Sequence, residues 1–488
     1  MNISINEQKF MTKFTRDTMI TGLSSLFLSV KNLITLPFIT KFLGAEIYGV
    51  WAQLLVTLGF LVPVACIGLP FALVRFLAAE KNRKKIQDSI YSVLIVVLLV
   101  SIIFAILLFL ASSSISTLFD CDVLLIKMLS LVVILESMNT VLINIYRAFC
   151  KMKKYAFYSI IQVALEVGLV IFMILMNGGI IGALASLIIS RVVVLFIMLA
   201  ELIKEVGISF PRFMHIKEYL FFGAPTVPGN ISLWVLRLSD RYLIGWFLGM
   251  LAVGYYAPSY IVASSVVFFI APLSIILPAV LSKLFDENKL DEVRKYLKYS
   301  FKYFLAVAIP SVFGLSILSK QILIAVSTQE IADQAYLVVP FVALSSLFWG
   351  CYAIISQVFS LVKKTKINAK LIFVTGCTNF VLNMLFIPWL GILGAAFTTL
   401  IGYLLLLLLG VWYAFKEFAF GIDWDFIAKS VFSSVIMSVP LVLLHVSGLS
   451  QLVGSIFLGM VVYIISIFVF GGIHKKEIQL MKCCLMGC

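Results

Sequence analysis

The chain has 488 residues, of which 62% are hydrophobic and only 12% carry a charge, and its formal net charge is +14. Soluble globular proteins usually have about 25% charged residues, so this composition excludes a soluble enzyme and a nucleic-acid-binding domain. It is typical of a protein that crosses a membrane many times. The sequence carries no motif for phosphate binding, zinc-dependent hydrolysis or a serine nucleophile, so we expect no enzymatic activity, cofactor or metal.

Apolar segments long enough to cross a bilayer follow one another along nearly the whole chain. A spanning helix needs about 20 mainly apolar residues, and helices are expected because lipid cannot satisfy open backbone groups. We therefore predict an all-α polytopic membrane protein with about 14 transmembrane helices. The predicted spans are residues 18–40, 47–69, 89–111, 123–146, 157–176, 180–203, 219–247, 253–281, 300–318, 334–361, 370–389, 391–414, 429–447 and 450–472.

Lysine and arginine are concentrated in alternate gaps between these spans. The intervening gaps hold only Lys41 and Lys320. Cytoplasmic loops of membrane proteins carry an excess of basic residues, so the pattern predicts that both termini lie in the cytoplasm. We expect a multi-pass protein of the cytoplasmic membrane whose basic inner face is suited to anionic lipids.

Two glycine-containing motifs occur twice, once in each half of the chain. They are Phe42–Gly44 with Gly49, repeated as Phe247–Gly249 with Gly254, and Gly179–Ala183, repeated as Gly391–Ala395. The first pair is separated by 205 residues and the second by 212. Two matches in the same order at nearly equal separation indicate a duplicated six-helix unit. We predict two pseudo-symmetric lobes, and transporters with parallel repeats bind substrate between the repeats and rock them for alternating access.

The predicted domain boundaries follow from the spans and the repeat. They are a cytoplasmic N-terminal arm (1–17), an N-lobe (18–218), a C-lobe (219–428), two extra spans outside the repeat (429–472) and a cytoplasmic tail (473–488). The tail holds Cys483, Cys484 and Cys488, but no histidine completes a metal site there, so we expect an ordinary chain end.

Lys31 lies about twelve residues into the first span. A charge in the middle of a bilayer costs at least about 2.5–3.5 kcal/mol, so such residues normally face a cavity or a partner. A lysine this deep does not easily reach either membrane surface with its ammonium group. We favour a water-filled interior around Lys31, and a buried ion pair is the alternative.

The seventh span carries Arg237, Asp240 and Arg241 on one helical face, because residues three and four apart are neighbours on a helix. Their net charge is positive, and arginine matches phosphate oxygens with two parallel hydrogen bonds. We predict that these three residues bind an anionic substrate. The alternative is that Asp240 and Arg241 only anchor the outer end of the span near the lipid headgroups.

Further polar residues lie inside several other spans. They are Glu136 and Asn144 in span 4, Glu166 in span 5, Arg191 in span 6, and Asn379 and Asn383 in span 11. We predict that Arg191 contributes to substrate binding and that the others line a polar cavity or couple an ion. Three alternatives stay open: hydrogen bonds between helices, a carboxylate that takes a proton or Na⁺, and a carboxylate that holds Arg191 in place.

Three short motifs resemble those of a known family. They are Phe42–Trp51 after the first span, Ser239–Gly245 in the seventh, and Lys363–Lys366 followed by Asn379, Asn383, Ile387-Pro388 and Gly391–Ala396. These residues resemble the polysaccharide flippases of the MATE-like (multidrug/oligosaccharidyl-lipid/polysaccharide) exporter superfamily. The resemblance covers residues 18–414.

The resemblance implies a V-shaped pair of six-helix lobes around a central cavity. It also implies export of polyprenyl-diphosphate-linked oligosaccharides from the inner to the outer leaflet for surface polysaccharide synthesis. Related lipid II flippases hold the diphosphate with cavity arginines, and matching positions give that role here to Lys31, Arg237 and Arg241. Spans 13 and 14 then form a groove for the polyprenyl tail, and glycosyltransferases and a polysaccharide polymerase are the expected functional partners.

Two other functions stay open. A cation- or proton-coupled multidrug exporter needs an acidic cavity, for which Glu136 and Glu166 are the candidates. The drug-exporting branch has twelve spans, so the two extra spans weigh against it. The second alternative is a membrane scaffold that no longer transports.

Overall fold

The regular structure of this chain is helical. The computed structural model describes residues 5–78, 80–444, 446 and 448–472, and no β-strand occurs in that part of the chain. The first helix begins at Ile5, so residues 5–17 of the predicted arm are helical and continue into the first span. The predicted tail, with its three cysteines, lies outside the described residues.

The helices follow in chain order. The first ten are α1 Ile5–Ala65, α2 Leu69–Leu77, α3 Arg83–Leu110, α4 Ser112–Leu118, α5 Val123–Ala148, α6 Met152–Leu175, α7 Gly179–Val206, α8 Ile216–Gly223, α9 Val227–Leu248 and α10 Met250–Ala263. The rest are α11 Ala271–Asp286, α12 Leu290–Ile317, α13 Ser319–Val326, α14 Gln329–Ala335, α15 Val338–Ile355, α16 Gln357–Leu361, α17 Thr365–Leu390, α18 Ile392–Glu417, α19 Trp424–Leu443 and α20 Leu449–Val469.

Helix α1 is two helices joined at a glycine. Its 61 residues would extend about 90 Å if straight, three times the hydrocarbon thickness of a bilayer. Gly44 breaks it with φ 86° and ψ 175°, and its repeat equivalent Gly249 separates α9 from α10 with φ 83° and ψ 174°. The same backbone geometry 205 residues apart supports the predicted repeat in this region.

The fold class predicted from the sequence is confirmed, and the number of spans is approximate. Among the described residues, 12 helices are long and apolar enough to cross a membrane. The prediction of about 14 divides α1 at Gly44 and also includes α9, whose Arg237, Asp240 and Arg241 exceed the charge content of an ordinary span. The difference therefore comes from one kinked helix and one charged helix.

Polar residues next to the spans fix where several helices begin. The side chain of Asn82 accepts hydrogen bonds from the backbone N–H groups of Lys84 (3.1 Å) and Lys85 (3.4 Å) at the start of α3. The Asp122 carboxylate accepts from the Leu124 N–H at 2.8 Å and caps α5 in the same way. Such caps satisfy backbone donors that have no partner within the helix.

Close packing divides the helices into two compact units. Within the described residues, the first contains positions up to 257 together with 372–395, and the second contains 258–371 together with positions from 396 onward. In the first unit, α6 packs against α1 and α7, and α5 packs against α3 and α7. In the second, α12 packs against α15 and α19, and α19 against α20.

The two units do not follow the predicted lobes. Helix α9 lies in the predicted C-lobe but packs within the first unit. Packing and sequence repetition are different criteria for dividing a chain, and the lobe boundaries at residues 218 and 428 stay a prediction.

Replacing Gly44 or Gly249 by alanine is expected to lower the thermal stability of the purified protein. Both backbones lie in a region open essentially to glycine, where another residue costs about 1–3 kcal/mol. The two losses should be similar because the positions are repeat equivalents, and thermal unfolding in detergent measures them. Gly168→Ala on α6 is the matched control, since a methyl there meets no atom within 4 Å. Unchanged unfolding temperatures in both variants would contradict the prediction.

Candidate functional site

Four charged side chains form a continuous chain of ion pairs across four helices of the first unit. The Lys31 ammonium on α1 lies 3.0 Å and 3.2 Å from the two carboxylate oxygens of Glu166 on α6. Glu166 Oε2 also lies 2.8 Å from Nη1 of Arg191 on α7. Arg191 Nε in turn donates to the carboxylate of Glu136 on α5. Side chains far apart in sequence thus join α1, α5, α6 and α7.

The ends of this chain are more exposed than its middle. The side chains of Glu166 and Arg191 are 6% and 7% exposed, whereas those of Lys31 and Glu136 are 23% and 27% exposed. Two acids and two bases give the network no net charge. Burying charges is costly unless they are paired with good geometry, and the two inner members each have two partners of opposite charge.

Neutral side chains complete the surroundings of Arg191. Its Nη1 donates to Ser190 Oγ at 3.2 Å, and its backbone carbonyl accepts from Asn139 Nδ2 at 3.0 Å. Asn139 and Glu136 are three residues apart on α5 and therefore lie on the same helical face. Glu136 also accepts from Gln162 Nε2 at 3.5 Å. This spacing lets one face of α5 bind both the side chain and the backbone of Arg191.

The structure bears on two alternatives that the sequence left open. The ion pair that was the alternative for Lys31 is found, with Glu166 as the partner, and the favoured water-filled interior around Lys31 stays a prediction. A carboxylate at this distance offsets part of the cost of placing the ammonium group among apolar helices. Of the alternatives for Glu136 and Glu166, the one found is that both hold Arg191.

The three charged residues of α9 have different surroundings. Asp240 and Arg241 are 3% and 5% exposed, and Arg241 Nη1 lies 3.1 Å from Asp240 Oδ1. Asp240 accepts a 2.6 Å hydrogen bond from the hydroxyl of Tyr256 on α10, and Arg241 faces the ring of the same tyrosine. These contacts agree with the anchoring alternative. Arg237 is exposed, and its backbone carbonyl accepts from Arg241 Nη1 at 3.2 Å.

The predicted asparagines are hydrogen-bonded in the structure. Asn379 and Asn383 on α17 are 1% and 0% exposed, and Asn383 Nδ2 donates to Asn379 Oδ1 at 3.0 Å. Asn144 on α5 donates to the Thr140 carbonyl at 2.8 Å and accepts from Arg147 Nη1 at 3.1 Å. These contacts lie within one helix, and a role of the asparagines in a cavity or in ion coupling stays a prediction.

An aromatic cluster beside α9 was not predicted. Trp234 Nε1 donates to the Val56 carbonyl at 3.1 Å, and the hydroxyls of Tyr242 and Thr57 are 2.6 Å apart. The rings of Trp234 and Tyr242 have centroids 5.5 Å apart, and that of Phe119 is 5.9 Å from Tyr242. These rings line a cavity of about 480 Å³. The eight-residue spacing of Trp234 and Tyr242 was its only signal in the sequence.

A larger cavity, which the sequence also did not locate, lies in the second unit. Its volume is about 830 Å³, and its walls are almost wholly apolar side chains of α12, α15, α18 and α19. Phe301, Leu347, Leu408 and Val431 are typical of these walls. The residues themselves read as ordinary apolar spans, so only their packing reveals the cavity.

Several solved structures share this fold. A lipid II flippase MurJ in an inward-closed conformation superposes with a TM-score of 0.73 at 18% identity, covering 94% of this chain and 98% of that one. An inward-facing multidrug resistance MATE family transporter of the MOP superfamily gives a TM-score of 0.69 at 15% identity, covering 81% and 94%. At such low identity these likenesses establish the fold alone.

Sequence comparisons give the family. The probable low-salt glycan biosynthesis flippase Agl15 of Haloferax volcanii is 25% identical over 258 residues, which are 52% of this chain and 54% of the relative. The chain thus matches about half of that relative's length. A family model for the lipid II flippase MurJ matches residues 248–469, and one for polysaccharide biosynthesis proteins matches residues 38–335. The latter match spans more than half of the sequence, so this multi-pass membrane protein belongs to the polysaccharide biosynthesis protein family.

Proposed function

We propose that this protein is a flippase that moves polyprenyl-diphosphate-linked oligosaccharides across the cytoplasmic membrane for surface polysaccharide synthesis. The observation that carries the proposal is a charged network inside the membrane-spanning helices of a polysaccharide biosynthesis protein, with its lysine at one of the two accessible ends. The fold shared with a lipid II flippase and the similarity to a probable glycan flippase support it. Both termini lie in the cytoplasm in this proposal, as the charge pattern predicts.

Lys31 captures the diphosphate by exchanging one anion for another. At rest its ammonium pairs with Glu166, which also pairs with Arg191. When a phosphate oxygen replaces Glu166 beside Lys31, Glu166 keeps its contact with Arg191. Leaving a buried carboxylate unpaired is strongly unfavourable, so this second partner is what makes the exchange accessible. Arg191 therefore contributes to substrate binding through Glu166 and not by direct contact.

Arg237 is the second cation for the diphosphate in this proposal. Its side chain is exposed, whereas Arg241 is buried against Asp240 and Tyr256. An arginine binds phosphate oxygens with two parallel hydrogen bonds, and a side chain exposed on α9 offers its guanidinium to a ligand where a buried one does not. Asp240 and Arg241 accordingly fix the position of α9, and direct substrate binding falls to Lys31 and Arg237.

The apolar cavity of the second unit supports the proposal that the polyprenyl tail follows an apolar path along this unit. Its walls include Trp424, Ile427 and Val431 of α19, which corresponds to the thirteenth predicted span. A hydrocarbon chain gains about 0.8 kcal/mol for each CH₂ group removed from water, so the tail stays in apolar surroundings while the sugars cross. The sugar hydroxyls need polar partners throughout, because each unsatisfied hydroxyl is costly in an apolar environment.

Multidrug export is less well supported. MATE transporters share the fold, but Glu136 and Glu166 are both held by Arg191 and so are not poised for a proton or Na⁺. We further propose that glycosyltransferases and a polysaccharide polymerase act before and after this protein, and that its basic inner face contacts anionic lipids.

Replacing Lys31 or Arg237 by glutamine is expected to reduce transport of lipid-linked oligosaccharide into the opposite leaflet of proteoliposomes. Each change removes a hydrogen bond to a charged group worth about 1.5–3 kcal/mol, which corresponds to about a tenfold to hundredfold loss. Lys283→Gln is the matched control, because that side chain is 65% exposed at the end of α11. Normal transport by Lys31→Gln and Arg237→Gln, at normal expression, would refute the assignment of these two cations.

Replacing Glu166 by glutamine is expected to strengthen binding of the diphosphate headgroup and slow turnover. Lys31 then has no competing carboxylate, so headgroup affinity should rise about twofold to tenfold while release becomes slower. Binding of a water-soluble diphosphate-sugar and single-turnover transport separate the two effects. Glu136→Gln is the comparison variant, since Glu136 does not contact Lys31 and its removal should leave headgroup affinity nearly unchanged. Weaker headgroup binding by Glu166→Gln would show that Glu166 only positions Lys31.

Filling the apolar cavity of the second unit is expected to impair transport of long-tailed carriers. Leu408→Trp places an indole at the cavity wall, and we expect transport of a long polyprenyl carrier to fall by roughly fivefold, about 1 kcal/mol. Carriers with short tails should be affected less. Leu404→Trp, one turn away on α18 and outside the cavity lining, is the control. Equal effects of both variants on long and short tails would argue against a tail site.

A further inference from the structure

The two glycine motifs of the repeat cross each other at backbone distance. A methyl group added to Gly49 would lie 2.0 Å from the carbonyl oxygen of Met250, and one added to Gly254 would lie 1.9 Å from the carbonyl oxygen of Ala45. The 205-residue offset of the repeat carries Ala45 to Met250 and Gly49 to Gly254. Each contact is therefore the repeat image of the other. Each of the two crossing helices contributes one glycine and the carbonyl group of the residue four positions before that glycine.

The residues that make these contacts are buried and have no charged side chains. Ala45, Met250 and Val253 are 5%, 4% and 0% exposed, and a methyl on Gly245 would lie 2.6 Å from the end of Met250. Small residues four apart let helices approach closely in membranes, where the Cα–H groups of one helix contact carbonyl oxygens of another. The contact is thus tight in geometry but consists of weak interactions.

The symmetry of the crossing fixes its place in the molecule. When two contacts are exchanged by the operation that relates two repeats, they lie on either side of the axis of that operation. In transporters with parallel repeats this axis runs along the membrane normal, and substrate passes between the repeats. Both motifs also follow a predicted span directly, in a gap that is poor in basic residues. Such gaps lie on the outer side of the membrane in the predicted orientation.

We propose that the crossing of residues 45–49 with residues 250–254 is the outer gate of the translocation path. It is closed in this structure and separates when the path opens to the outside. This inference rests on the proposed alternating access. Opening the gate breaks no ion pair between residues 45–49 and residues 250–254. The two helices can therefore separate and meet again in each transport cycle. The nearby pair of Asp240 with Tyr256 stays intact, because it joins α9 to α10 on one side of the crossing.

Gly49→Ala and Gly254→Ala test the gate in full-length protein in oriented vesicles. Each methyl collides with a backbone carbonyl that has no freedom to rotate away, so the open state should gain population. The reporter is Gln53→Cys, a fully buried position one turn from Gly49, probed with a charged membrane-impermeant thiol reagent and compared with protein lacking the reporter. Both glycine variants should raise its reactivity by about fivefold or more, and to a similar degree, because the contact is symmetric.

Gly168→Ala is the matched control, and it should leave the reporter unreactive because its methyl meets no atom within 4 Å. The reagent should act only from the side opposite the N-terminus. Glycine variants that purify as monodisperse protein but keep the reporter protected would overturn the proposal, as would reaction from the N-terminal side alone.

A second measurement covers the case in which the glycine variants do not fold. Ala45→Cys and Met250→Cys, on the two crossing helices, are joined with a short bis-methanethiosulfonate reagent, which forms a disulfide with each thiol and releases sulfinate. Cross-linked protein should lose transport and regain it on reduction, and cross-linked protein that transports at the uncross-linked rate would overturn the gate. Parent protein that transports no lipid-linked glycan would instead count against the proposed function, and the reporter measurement on the gate would still stand.

Discussion

The cost of placing charge among apolar helices is the constraint on which the structure of the first unit depends. Arg191 is central to how this cost is met, because it pairs with a carboxylate on α5 and another on α6, and its own helix, α7, packs against both. Lys31 adds α1 to the same network. Each helix brings a charge that would be unfavourable alone, so correct packing is the condition under which all four are tolerated. The ion pairs specify which helices meet, in addition to any stability that they contribute.

The first unit also contains a contact of the opposite kind. Where 45–49 crosses 250–254, glycines meet carbonyl oxygens and no charge takes part. A network of paired charges resists separation, because breaking it exposes each member to an apolar environment, whereas weak backbone contacts separate at little cost. The charged network therefore holds its four helices together, whereas the crossing of 45–49 with 250–254 is suited to open. Their placement on different segments of the same long helix, on the two sides of Gly44, lets α1 take part in both.

The sequence was sufficient for features that depend on composition and spacing, and insufficient for those that depend on which helices are neighbours. Apolar length and glycine spacing gave the helical membrane fold and the repeat, and the shared φ and ψ of Gly44 and Gly249 agree with the latter. Charge within a span identified Lys31, Glu166 and Arg191 as residues that need an explanation. Their pairing spans up to 135 positions, and no periodicity in one helix reveals a partner at that distance. The two cavities could not be predicted for the same reason. Apolar side chains give the same sequence pattern whether they fill the space between helices or line a cavity.

The pairing of Lys31 with Glu166 also bears on the half of a transport cycle that carries no substrate. A flippase must return to its starting state empty, and an uncompensated ammonium inside the membrane would oppose that return by about 2.5–3.5 kcal/mol or more. Glu166 supplies the missing anion from within the protein, because it sits 3.0 Å from the ammonium and keeps Arg191 as a second partner when a diphosphate takes its place. The network is neutral without cargo, and Lys31 is paired with an anion in both states, Glu166 in one and the diphosphate in the other. Glu166 competes with the diphosphate for Lys31 and so weakens its binding. The same carboxylate is what makes repeated turnover compatible with a lysine inside the membrane.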